Sequence, residues 1–190
     1  MPRLFVAIDI PEEIKAALTQ FTRELPAARW VPADQLHLTL RFIGDAGPQA
    51  FTAIKDALSV IQFHPFQLAL HGTGHFPPGT HPRVLWVGVK EDPQLRQLYQ
   101  DLELALLEVG IPPEERPFSP HLTLARLKTS APAALSSFET LHGELAFASF
   151  EVREVILYSS VLTNQGAIHS REAVVACLPP TSTHTSLPLR

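Results

Sequence analysis

Two histidines and two threonines stand in matching tetrapeptides, and what they could do together is the first question the chain poses. His37-Leu38-Thr39-Leu40 and His121-Leu122-Thr123-Leu124 lie 84 positions apart in a chain of 190 residues. Chance would supply about 0.01 copies of such a tetrapeptide at this composition, so the pair marks an internal repeat. On a strand, residues two apart share a face. Each copy thus presents one imidazole and one hydroxyl together, with both leucines on the opposite face as an apolar anchor. Imidazole is the side chain whose ordinary pKa lies nearest neutrality. One neutral ring can take a proton from water while a second, protonated, gives one to a leaving oxygen; each role is worth about 10²–10⁴-fold in rate. Threonine hydroxyls can donate hydrogen bonds to non-bridging phosphoryl oxygens. The set predicts in-line displacement at phosphorus with no metal and no cofactor. A strained cyclic phosphodiester suits it, because strain relief lowers the demand on the catalyst. One His-x-Thr alone is ordinarily a surface or core pair. Recurrence at matched positions is what makes it a site.

The elements that must hold these residues repeat as well. Leu4 to Ile8 reads as a buried strand, Pro11 to Leu25 as a helix with Pro and acids in its first turn, and Ala27 to Gln35 as a loop before the first motif strand. A second helix follows over Pro48 to Ile61, then a strand over Phe66 to Leu70. His71 to Arg83, rich in Gly, Pro and His, reads as a loop. The order then restarts: a strand at Val84 to Val89, a helix from Asp92 with the stripe Leu95, Leu98, Leu102, Leu106 and Val109 closed by Gly110, a Pro-rich loop, and the second motif. Further on, Ala131 to Leu141 reads as a helical turn. Glu144 to Phe150, Val152 to Ser160 and Glu172 to Leu178 read as strands, with a turn at Asn164-Gln165-Gly166. Residues 179–190 read as a flexible Pro/Thr/Ser-rich tail. The sum is an α+β class with two small, mainly antiparallel sheets and helices outside; residues 1–178 are expected to make one domain, and the resemblance described below implies that it consists of two interleaved lobes.

Composition narrows the function. The net charge of −4 excludes broad electrostatic coating of nucleic acid but leaves room for an enzyme acting on one end of an RNA. A single cysteine, Cys177, forbids an internal disulfide and suits a reducing compartment. Apolar runs are too short to span a bilayer. A cytoplasmic protein, without membrane association and monomeric, is expected.

Arg41 and Arg126 follow the two motifs at His+4 and His+5. On regular strands, parity puts Arg41 on the His face and Arg126 on the other; a bulge would reverse this. Either could meet a phosphate anion. His71, His75 and His81 form a second cluster, but no carboxylate or thiolate lies among them, which is poor company for zinc. No Gly-rich phosphate loop is present.

Several stretches together carry a resemblance: Arg3 to Pro11, Arg29-Trp30-Val31-Pro32 leading into His37 to Gly44, Pro82 to Trp86, and Arg116 to Arg126. With these the chain resembles the two-histidine (2H) phosphoesterase superfamily, and within it the RNA 2′,3′-cyclic phosphodiesterases, historically called 2′-5′ RNA ligases. The resemblance runs from about Pro2 to Leu178. It implies a bilobal, pseudo-two-fold symmetric fold with one His-x-Thr strand from each lobe facing a central cleft. It also implies metal-independent opening of a 2′,3′-cyclic phosphate at an RNA 3′ end, tRNA fragments being one source, to leave a 2′-phosphate. Reverse 2′-5′ joining would be a minor activity. His37 would be the proton donor and His121 the acceptor, although the symmetry of the motifs leaves that assignment open. Thr39 and Thr123 would bind the phosphate; Arg126 and Phe5 would hold the terminal nucleotide. The chain departs from the family at Gly79-Thr80-His81, in a longer loop, and at Ala167-Ile168-His169, where many relatives carry a Tyr. Three other readings compete: a sister cyclic phosphate or 2′-5′ oligonucleotide as substrate, a non-catalytic RNA-end-binding module, and a metal-binding protein.

Overall fold

The computed structural model describes residues 3–25, 28–79, 81–127, 132–164 and 166–179. Among the described residues, ten strands and four α-helices follow one another as β1 (Arg3–Asp9), α1 (Glu12–Thr19), β2 (Ala28–Trp30), β3 (His37–Asp45), α2 (Pro48–Ser59), β4 (Phe66–Leu68), β5 (Leu70–Phe76), β6 (Val84–Val89), α3 (Pro93–Glu108), β7 (His121–Leu127), α4 (Pro132–His142), β8 (Phe150–Val152), β9 (Glu154–Thr163) and β10 (Gly166–Ala176). The helix starts are local chemistry. Glu12 and Glu13 sit in the first turn of α1. The Asp92 carboxylate caps α3 by accepting from the Gln94 and Leu95 amides at 2.8 and 2.9 Å. Helix α1 tightens into a 3₁₀ turn over Gln20–Arg23 rather than running on to Leu25.

The fold is α+β with two antiparallel sheets, one large and one small. The large sheet runs β10-β9-β1-β3-β7-β6-β5, with β2 added beside β7; the small one is β4-β8. Both motif strands therefore lie side by side at the centre of the large sheet. They share one register pair, Leu38 with Leu122, and diverge on either side of it. These two leucines are the same residue of the repeat, 84 positions apart. The small sheet is centred on Gln67 and Glu151, also 84 apart. An antiparallel pair formed by a residue and its own counterpart is what a two-fold axis requires, so the pseudo-dyad passes through both pairs. The halves also exchange strands. After α2 the chain crosses to place β5 on β6, and after α4 it crosses to place β9 on β1.

One hydrophobic core runs beneath the large sheet. Val6, Leu38, Leu70, Leu85, Val87 and Leu122 meet the α3 stripe Leu95, Leu98, Leu102 and Leu106, with Ile54 and Leu58 from α2.

Four sequence expectations change. His71 to Phe76 is not loop but most of β5, because Gly74 lies under the Trp86 indole: a Cβ there would sit 2.4 Å from the ring. The glycine that argued for a loop is what lets an aromatic cover the strand. Gly72, at φ +70, marks the register shift between His71 and Thr73. Glu144 to Ser149 is not a strand; Ala146 makes one bridge to His71, and pairing resumes at β8. Ala28–Trp30 pairs with β7 instead of looping. The helical turn near residue 131 is the full helix α4. The expected tail beyond Pro179, and the centre of the turn at Gln165, lie outside the described residues.

The dyad leucines are fully buried, both at 0% exposure. Leu38→Ala and Leu122→Ala should each lower unfolding free energy by about 2–5 kcal/mol in urea titrations. A loss below about 1 kcal/mol would show that the joint tolerates a cavity and that the halves are held together elsewhere.

Candidate active site

Strand chemistry delivers the four motif side chains to one place. His37, Thr39, His121 and Thr123 are half-buried, while Leu38, Leu40, Leu122 and Leu124 are buried beneath them. Extended by one residue either way, the Leu38–Leu122 register sets His37 across from Thr123 and Thr39 across from His121. Cross-strand neighbours of this kind have Cβ atoms about 4.5–5.5 Å apart before the strands diverge. The bridge therefore brings the His-x-Thr faces of the two halves together about the pseudo-dyad.

Both rings are held from two residues upstream. The Nδ1 of His121 lies 2.7 Å from the Ser119 carbonyl oxygen; donating there, the ring presents Nε2 to the site. The Gln35 backbone hydrogen-bonds the His37 ring in the equivalent position. The packing around them differs. His37 stacks on Phe5 at 4.8 Å between ring centroids and meets His169 edge-on at 5.6 Å. Tyr158 stacks on Phe5 at 5.2 Å, and its hydroxyl donates to Asp9 Oδ1 at 2.7 Å. Burial pushes the Tyr158 hydroxyl pKa well up. His121 instead meets Phe76 at 4.9 Å and Trp86 at 6.4 Å.

This packing bears on the charge of His37. Burial, with the neighbouring His169 second, lowers the pKa of His37 from 6.5 to about 4, against the weaker pull of Asp9. At neutral pH the His37 ring is neutral in the free protein. Burial lowers His169 also, opposed by Asp34.

The same bulge occurs in both motif strands and decides the arginines. β1 skips Leu40, pairing Ala7 with Thr39 and Val6 with Arg41; β6 skips Leu124, pairing Trp86 with Thr123 and Leu85 with Ala125. Each extra residue reverses the parity of the rest of its strand. Arg41 is therefore on the core face, 7% exposed, and does not reach the site. It is paired with Glu103 and Glu114 and donates to the Phe42 and Pro112 carbonyls. The expectation of Arg41 as a phosphate ligand fails because the strand is not regular. Arg126 is turned the other way, exposed on the His face, in the position Phe42 holds on β3. Phe42 is 64% exposed and lies 6.0 Å from Phe5. Phe5 itself is 3% exposed, so it backs His37 and Phe42 rather than offering an open surface.

With this geometry in place, comparison with known proteins is direct. The model of the 2′-5′ RNA ligase superfamily matches residues 10–164. The chain belongs to that superfamily. It is 34% identical over 170 residues to the RNA 2′,3′-cyclic phosphodiesterase of Archaeoglobus fulgidus, covering 88% of this chain and 96% of the relative. It is 39% identical over 142 residues to the Thermus thermophilus protein of the same name, covering 68% and 71%. Among solved structures, Escherichia coli LigT complexed with 3′-AMP superposes with a TM-score of 0.78 at 29% identity, covering 94% of this chain and all of that one.

Sequence reasoning missed Phe42, Tyr158, Asp9, Phe76 and Trp86, and placed His169 only as a departure. Phe42 was legible had the bulge been foreseen. The others come from strands far apart in sequence with no shared motif. Of the second histidine cluster, His75 pairs with Glu139 at 2.7 Å and His71 lies 3.7 Å from Glu144. Among the described residues, no group of three metal-ligating side chains is assembled, and no helix is long and apolar enough to cross a membrane.

Two measurements test this electrostatic picture. A His pKa depressed in the folded state contributes stability above pH 6.5 that is lost as pH falls toward about 4. The stability of the native protein relative to His37→Phe should therefore decline through that window; parallel pH curves would contradict the burial of a neutral ring. Arg41→Ala should cost about 3 kcal/mol in denaturant titration, since it leaves the partly buried Glu103 carboxylate without its cation. A negligible cost would mean the pair is solvated.

Proposed function

We propose that this chain opens 2′,3′-cyclic phosphates at RNA 3′ ends by two-histidine acid–base catalysis, yielding a 2′-phosphomonoester and a free 3′-hydroxyl. The observation that carries the reading is the Leu38–Leu122 bridge, which joins the two His-x-Thr strands at the pseudo-dyad. A cyclic phosphate on the pseudo-dyad would have a proton acceptor on one side and a donor on the other, as in-line attack demands. Thr39 and Thr123 would donate to the two non-bridging oxygens. The relatives named RNA 2′,3′-cyclic phosphodiesterase support the substrate class.

In this reading His121, its Nδ1 proton held by Ser119, takes a proton from water at Nε2. The oxygen attacks phosphorus, the bond to the 3′-oxygen breaks, and His37 protonates that oxygen. Burial opposes a charged His37 in the free protein, so the substrate must supply what burial removes. A phosphoryl anion about 4 Å away is worth about 4 kcal/mol in a partly shielded site. At 1.36 kcal/mol per pKa unit, that is enough to bring a pKa of about 4 back to about 7. The donor would thus be charged only when its target is bound. With a 5′-hydroxyl attacking in place of water, the same groups would form a 2′-5′ bond, the bond to the 3′-oxygen breaking and His37 protonating it as before. RNA fragments with cyclic ends, tRNA pieces among them, are the substrates this fits.

His37→Ala and His121→Ala should each reduce hydrolysis of an oligonucleotide 2′,3′-cyclic phosphate by at least about 10²-fold with the fold intact by circular dichroism. Chelator treatment should leave the rate unchanged. The pH profile should be bell-shaped, with the His37 limb at higher pH in kcat than in kcat/KM, because kcat/KM reports the free enzyme. Survival of activity in either variant would refute the two-histidine mechanism, and coincident limbs would refute charging of His37 by substrate.

A further inference from the structure

The carbonyl that orients His37 is fastened to a strand that the pseudo-dyad does not repeat. Gln35 ends a single 3₁₀ turn, Ala33–Gln35, just before the first motif. Its backbone amide donates to the Pro32 carbonyl at 2.9 Å, so its own carbonyl is the backbone group left to accept from the His37 ring. Its side-chain Nε2 donates to the Ala167 carbonyl on β10 at 2.9 Å, across 132 positions of sequence. One residue thus holds the ring with its backbone and β10 with its side chain. A 3₁₀ turn this short has poor hydrogen-bond geometry, so a fixed place for its carbonyl must come from outside the turn.

The second motif is led in differently. Beside Ser119, whose carbonyl lies against the His121 ring, Phe118 stacks on Tyr99 of α3 at 3.9 Å between centroids. That anchor is apolar packing on a helix, whereas the anchor of the first motif is a hydrogen bond to a strand. In the large sheet, β9 on β1 answers β5 on β6; β10 continues beyond β9, and among the described residues no strand of that sheet continues beyond β5. β10 therefore belongs to the His37 side alone. Two residues past Ala167, on the same face, it carries His169, whose ring meets His37 edge-on at 5.6 Å and Phe5 at 5.1 Å. The Nδ1 of His169 is buried without a hydrogen-bond partner among the described residues. Leaving such an atom unpaired costs stability, so this contact with His37 is not one that His169 would hold unaided.

We propose that Gln35 is a positioning residue for the reaction: tied to β10, it fixes the His37 ring with a proton on Nδ1 and Nε2 presented to the site, and it holds His169 against that ring. This role presupposes His37 as the proton donor, as in the reading above. Gln35 touches no substrate and acts only through His37. Which ring nitrogen carries the proton is set by the hydrogen bond that the other one makes. An orienting carbonyl that drifts lets the ring sample the second tautomer and present the wrong nitrogen. A tie worth one ordinary hydrogen bond changes the share of correctly set rings by about fivefold. The loss falls on the step in which His37 gives its proton, not on the binding of substrate.

Gln35→Met keeps the length of the side chain and removes its donors. With the fold intact by circular dichroism, kcat on an oligonucleotide 2′,3′-cyclic phosphate should fall about fivefold while KM stays within about twofold. Nitrogen-15 shifts of the substrate-free protein at neutral pH read the tautomer directly. In the wild type, Nδ1 of His37 should be the protonated nitrogen. In Gln35→Met the two His37 nitrogens should move toward one another, while those of His121, oriented by Ser119, stay in place. Unchanged His37 nitrogens in the variant, or an unchanged kcat, would overturn the positioning role. Wild-type protein inert toward the cyclic phosphate would instead refute the RNA-end reading, and the nitrogen shifts would still decide whether Gln35 sets the ring.

Discussion

The β-bridge between Leu38 and Leu122 is the joint on which the molecule depends. It is a single register pair, yet it joins the two halves of the large sheet, marks the pseudo-dyad and sets the spacing of the site. Because equivalent residues pair there, everything one half offers is met by its counterpart turned through a half-turn. That is why the two His-x-Thr faces meet about one axis. Both leucines are fully buried, so the apolar side of each motif roots in the core while the polar side is held still above it. Gln67 and Glu151 repeat the arrangement in the small sheet, and the exchanged strands β5 and β9 tie each half to the other. Neither half could bury its motif strand alone.

Symmetry supplies the frame, and departures from it supply direction. Hydrolysis needs one ring to accept a proton and the other to donate, which identical environments would not distinguish. The structure breaks the equivalence through packing. His37 sits among Phe5, Tyr158 and His169, whereas His121 meets Phe76 and Trp86. Phe42 and Arg126 divide the next shell of the site in the same way, an aromatic ring on one side and a cation on the other.

If His37 is the proton donor, as proposed, its burial sets folding against chemistry. A neutral imidazole packs well against aromatic rings, and desolvation opposes its protonation. A proton donor must nevertheless carry a charge when it acts. The conflict resolves if the charge arrives with an anionic substrate, so that the ring is neutral when the site is free and protonated when it is occupied.

The sequence alone determined the motif strands, three of the four helices in close outline, and the matched histidines and threonines, because each rests on local periodicity and on a repeat that needs no partner to be seen. His71 to Phe76 was misread because Gly74 looks like a loop residue until Trp86, twelve positions later, lies over it. Arg41 and Arg126 were assigned to opposite faces correctly in number and wrongly in side. One unpaired residue in each strand, Leu40 and Leu124, reverses the alternation, and a bulge is a property of the ladder with β1 and β6, not of the strand that contains it. Tyr158 reaches Phe5 and His37 from a strand whose sequence carries no sign of the site. Which side chains could do the chemistry was written locally; which ones surround them was decided only when distant strands paired.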